Sequence, residues 1–73
     1  MAEELKRAER VLRTKLARMY RVYGEAVIRK VAAVEFLGVV DGFYQFQVEF
    51  ERELLPQFYE VRLYAKSARV YSA

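Results

Sequence analysis

The chain has no histidine, no cysteine, no tryptophan and no asparagine, and only one aspartate, one threonine and one proline. Enzyme chemistry needs a positioned acid, base, nucleophile or metal ligand, and most of those side chains are missing. Both serines, Ser67 and Ser72, lie in the last seven residues. Without cysteine there is no disulfide, and without cysteine or histidine a structural zinc site has no usual ligands. There is no apolar run of about 18 residues, so no membrane span is expected. The first residues, Met1 to Arg7, carry no apolar segment of the signal-peptide kind, which points to a cytoplasmic protein. The absences exclude more than they identify, and they direct attention to binding and assembly rather than catalysis. No cofactor, metal or small-molecule substrate is expected.

What the chain does contain is apolar surface. Hydrophobic residues make up 55% of 73 residues, and eleven are aromatic, which excludes disorder. Seventy-three residues make a single domain spanning 1–73. A domain of this size buries only about 60% of its unfolded surface, so its core is marginal. With staples excluded, oligomerisation or docking on a partner is the remaining support. Abundant Arg, Glu, Val and Tyr with no Asn give a thermophile-like composition.

Residues 3–23 read as an amphipathic helix. Leu5, Ala8, Leu12, Leu16, Met19 and Tyr23 recur at spacings of three and four, and Val11 and Tyr20 widen the stripe. Glu3, Glu4 and Glu9 lie early while Arg18 and Arg21 lie late, which complements the helix dipole. Glu3–Arg7 and Glu9–Arg13 are favourably oriented i,i+4 pairs. Gly24 fits a helix stop. Residues 25–33 are open to either helix or strand, with β-branched Val27, Ile28, Val31 and Val34 favouring strand.

Beyond that point the period changes to two. Strands are expected at about 27–39, 43–52 and 58–71. Tyr44, Phe46, Val48 and Phe50 alternate with Gln45, Gln47, Glu49 and Glu51, the pattern of a strand with one face buried. Asp41-Gly42 marks the preceding turn. A two-residue loop there pairs Val40 with Phe43 and sets Glu35 against Val48 on the apolar face. A three-residue loop pairs Phe36 with Phe46, Val34 with Val48, Glu35 with Gln47 and Ala32 with Phe50, which keeps both faces consistent. The three-residue loop is therefore expected.

Tyr59, Val61, Leu63 and Ala65 alternate with Glu60, Arg62 and Tyr64 in the next strand. Pairing Glu49 with Arg62 is preferred to pairing it with Glu60. Residues 68–71 either continue this strand past a bulge or turn back as a fourth. The expected fold is α+β: an N-terminal amphipathic helix on one face of a three- or four-stranded antiparallel sheet, in the order α-β-β-β. The other sheet face carries Gln45, Gln47, Glu49, Glu51, Glu60 and Arg62, with Ala33, Leu37 and Val39 at one end.

Charge is segregated along the chain. Residues 1–30 hold nine Lys or Arg against four Glu, a balance of +5, while residues 31–73 hold four against six, a balance of −2. A basic helix can follow phosphates, with Arg10, Arg13, Arg18 and Arg21 as contacts. It can equally be a solvated face laced by its own Glu–Arg pairs. Six tyrosines divide into Tyr20 and Tyr23 on the helix, Tyr44 and Tyr59 in the core, and Tyr64 and Tyr71 in the open. The exposed two, beside Arg62 and Arg69, suit base stacking, although such tyrosines more often serve core or interface. Glu49, Glu51 and Glu53 share one strand face and read as its solvated side.

The stretch from Gly24 through Asp41-Gly42-Phe43, the acidic strand ending at Pro56, and Tyr59-Glu60-Val61 resembles the C-terminal part of the gas vesicle protein O family. Phe43 stands where that family has tryptophan, and the segment after Val61 is shorter. The helix-then-sheet order also resembles cystatin-like α+β folds, and fold does not imply function.

The leading expectation is a non-catalytic interaction or assembly subunit that self-associates or docks into a larger complex. Its contacts are Leu37, Tyr64 and Tyr71 on the mixed sheet face and its edge. The alternative is a nucleic-acid-binding protein gripping the phosphate backbone through the basic helix.

Overall fold

The computed structural model describes residues 2–21 and 30–73. One helix, α1 (Ala2–Arg21), precedes four strands: β1 (Val31–Val40), β2 (Phe43–Phe50), β3 (Gln57–Leu63) and β4 (Ala68–Ser72). The strands form one open antiparallel sheet in the order β1-β2-β3-β4, so the fold is α+β with an α-β-β-β-β order. The expected third strand is thus two, folded back at Ala65-Lys66, where the Tyr64 amide donates to the Ser67 carbonyl at 2.8 Å. Gly24 and most of the ambiguous 25–33 stretch lie outside the described residues; its end, from Val31, is strand.

The apolar stripe of α1 faces the sheet. Ala8, Leu12 and Leu16 are fully buried against Phe46, Val48, Phe50, Tyr59 and Val61. Leu5, Val11, Val34, Tyr44, Leu63 and Val70 pack around this cluster. Burying each large side chain stabilises the fold by about 1.5–3 kcal/mol. The helix lies chiefly over β3 and β4. A helix is about 10–12 Å wide, and four strands about 4.8 Å apart are wider than that. One helix therefore leaves one sheet edge bare, and here the bare edge is β1.

Two polar contacts tie the helix to the sheet. Arg7 donates to the Ser67 carbonyl at 3.0 Å, at the β3–β4 turn, rather than pairing with Glu3. The Tyr44 hydroxyl donates to Glu4 Oε2 at 2.9 Å. The Glu9–Arg13 pair forms as expected, at 3.0 Å. The hydrogen bond to Glu4, then desolvation and the nearby negative charge, hold the Tyr44 pKa above its ordinary value. The neutral hydroxyl is the bonded form, so this contact contributes below the unfolded tyrosine pKa of about 10 and is lost as pH rises through the higher folded value. In a pH series of thermal melts, Tyr44→Phe is expected to narrow the gap to wild type in strongly alkaline solution.

The β1–β2 hairpin corrects the expected turn. Val40 pairs with Phe43, leaving a two-residue loop with φ of 51° at Asp41 and 82° at Gly42, the type I′ geometry that suits the strand twist. Yet Phe36 faces Phe46, Val34 faces Val48 and Glu35 faces Gln47, as the three-residue loop required. Both hold because the register slips between Phe36 and Gly38, where Leu37 is an extra residue on β1. Gly38 follows at φ 146°, a conformation that glycine adopts without penalty. A second slip between Val31 and Ala33 puts Val31, not Ala32, opposite Phe50. The first bulge also moves Val39 off the open face: it pairs with Tyr44 on the helix side.

The β2–β3 register differs from the expected one as well. Gln45 faces Glu60 and Phe43 faces Arg62, rather than Glu49 facing Arg62. The observed pairing lets the Gln45 amide donate to Glu60 Oε1 at 3.0 Å, and it sets Phe46 against Tyr59 and Tyr44 against Val61 in the core. After β2, the Glu53 amide donates to the Phe50 carbonyl at 3.2 Å, closing a turn in which Arg52 adopts φ 68°. A left-handed non-glycine residue is strained by about 1–2 kcal/mol. Arg52→Gly is therefore expected to raise the melting temperature slightly, read by circular dichroism.

Candidate functional site

The sheet face away from α1 is ordered in rows. Val40, Phe43, Arg62 and Arg69 follow one another across the four strands, and next to them run Gly38, Gln45, Glu60 and Tyr71. The residues expected at an interface all reach this side. Leu37, 47% exposed, lines a shallow pocket of about 270 Å³ with Gln45, Phe58 and Glu60. Tyr71 meets the Phe43 ring edge-on at 5.9 Å. Arg62 lies over Phe43 at 5.0 Å and Tyr64 at 6.0 Å. Leu37 thus belongs to the β1 end of the face and the two tyrosines to the β4 end.

The β1 end is apolar on both sides. Leu37 and Val40 face away from the helix, while Phe36 and Val39 face the helix side beyond its cover. All four are 40% or more exposed. Phe36 touches the rings of Tyr44 at 6.2 Å and Phe46 at 5.7 Å, so only its outer side is free. Phe58 adds a further exposed ring beside Leu37. No charged residue interrupts positions 36–40. Leu54 and Leu55 are also exposed, on the β2–β3 connection at the other end of the sheet.

The β4 end is cationic. Between α1 and β4 runs an open groove of about 580 Å³ whose lining includes Arg10, Lys15, Arg18, Arg69 and Tyr71, with no acidic side chain. Two expected phosphate contacts, Arg10 and Arg18, are thereby brought together. Arg13 lies instead in the neighbouring depression and is held by Glu9. The Arg21 side chain lies outside the described residues. Arg62 and Arg69 stand directly opposite each other on adjacent strands, where like charges destabilise a sheet. Among the described residues neither is in an ion pair.

The sequence alone did not reveal the exposure of Phe36, which fell on the expected buried face, and it placed the exposed Val39 on the open face rather than the helix side. The width of one helix against four strands was the available signal. Among the described residues there is no group of three or more acidic side chains suited to a metal ion, and no helix long and apolar enough to cross a membrane. No protein family, curated protein or solved structure matches the chain, so its function is argued from these surfaces.

Proposed function

We propose that this protein is a non-catalytic assembly subunit that self-associates through the apolar edge at residues 36–40 of β1. The observation that carries the proposal is that consecutive apolar side chains are exposed on both sides of an edge strand. A soluble domain rarely leaves such a run uncovered without a use for it. The edge bears no charge that would repel a second copy, and a twofold contact sets the same patch against itself. Leu37 is the centre of the contact, with Val40 and Phe58 beside it on the open face and Phe36 and Val39 on the helix side. The bulges at Ala32 and Leu37 limit open-ended strand pairing, which favours a closed contact over a fibre. Burial between copies adds the apolar area that so small a core lacks. Sedimentation velocity over a range of protein concentrations tests the proposal. It predicts a mass above one protomer at micromolar concentration, and a single monomeric species throughout would overturn it.

A further inference from the structure

The geometry points to a second binding surface at the opposite edge of the sheet: the α1–β4 groove and the adjoining open face bind single-stranded nucleic acid. Arg10, Lys15 and Arg18 project from successive turns of α1 along the groove, and Arg69 closes its other wall. From Arg10 to Arg18 the helix rises about 12 Å, which is longer than one phosphate group and suits a repeating polyanion. None of these four cations is in an ion pair among the described residues. The same helix neutralises Arg13 with Glu9, outside the groove, so the charge in the groove is not spent within the helix.

The cationic track continues around β4. Arg69 belongs both to the groove and, through its pairing with Arg62, to the open face. A cross-strand arginine pair with no carboxylate is unfavourable alone, and a bound anion relieves it. Phe43 and Tyr64 flank Arg62, and Tyr71 stands against Phe43. Tyr64 and Tyr71 are both about two-fifths exposed. Aromatic faces beside a phosphate-binding track are what separates a single strand from a free phosphate or a lipid headgroup, because unpaired bases stack on them. A duplex keeps its bases stacked internally and offers only its backbone to the groove. The groove lies at the β4 edge and the self-association contact at the β1 edge, so the two proposals rest on different observations.

The test is fluorescence anisotropy of labelled oligouridylate, oligothymidylate and a duplex of equal length, titrated with the full-length protein at several salt concentrations. The expected result is single-strand binding with a log–log salt slope of about −3, corresponding to about four phosphate contacts. The double variant Arg18→Glu, Arg69→Glu abolishes it, while circular dichroism shows the fold retained. Tyr71→Ala weakens it about tenfold and Tyr71→Phe restores it, since either aromatic ring can stack. No single-strand binding at low salt would overturn the proposal. So would a preference for the duplex. Competition by inorganic polyphosphate as strong as that by the oligonucleotide, with Tyr71→Ala unchanged, would also overturn it, leaving a simple anion groove.

Discussion

Phe46→Ala is expected to remove a large share of the stability of the fold. Phe46 is fully buried at the centre of the sheet, opposite both Phe36 and Tyr59 and among the residues beneath α1. Truncating a buried phenylalanine costs about 3–5 kcal/mol, because the cavity closes only partly. A chain of this length has about 4–11 kcal/mol to lose, at about 0.05–0.15 kcal/mol per residue. Phe36→Ala, one strand over in the same row, provides the contrast. Its ring is 40% exposed, so the protomer should lose much less, about 1 kcal/mol. Urea denaturation of the two variants under identical conditions checks the difference. Equal losses would mean that the helix side of β1 is as well covered as the centre.

Leu37→Glu should have the opposite profile, with a small effect on the protomer and a large one on association. Leu37 is the extra residue of the bulge, so it has no cross-strand partner to lose. It belongs to none of the core packing. Exposed substitutions of this kind change stability by about 0.5 kcal/mol or less. In a contact centred on Leu37, however, a buried glutamate without a counter-charge is severe. A central contact residue contributes about 2 kcal/mol or more, a weakening of at least about thirtyfold in the dissociation constant. Sedimentation measurements on the variant, with a parallel thermal melt, read both quantities. An unchanged dissociation constant would remove Leu37 from the interface.

Much of the fold is legible in the residues themselves. The three-and-four spacing of Leu5, Ala8, Leu12 and Leu16 identifies the buried helix face, and the alternation from Tyr44 to Phe50 identifies the central strand with its inward side. The pairs Val34–Val48 and Phe36–Phe46 follow from keeping apolar faces together. The turn does not, because two physical demands meet there. Asp41-Gly42 favours a two-residue loop, while the strand bodies require a register one residue removed. The chain satisfies both by inserting Leu37, and neither rule alone announces a bulge. The β2–β3 register was hidden for a related reason: several pairings keep the same face inward, and the Gln45–Glu60 hydrogen bond distinguishes them only once the strands are placed.

The candidate sites divide along the same line. Arg10, Arg18, Leu37, Tyr64 and Tyr71 are visible as exposed residues of the right chemistry. Their grouping into an apolar edge and a cationic edge is not, because it depends on where one helix rests on four strands. Arg13 shows the limit of counting charges, since its neighbour Glu9 neutralises it. Position on the sheet, rather than composition, separates the two surfaces.

Amide hydrogen exchange measured across a dilution series most directly tests the claim that β1 is the contact between copies. Protection of residues 31–40 is expected to rise with protein concentration while that of β4, residues 68–72, stays constant. Exchange in β1 that does not change with concentration, in a range where the protein is present at many micromolar, would contradict it.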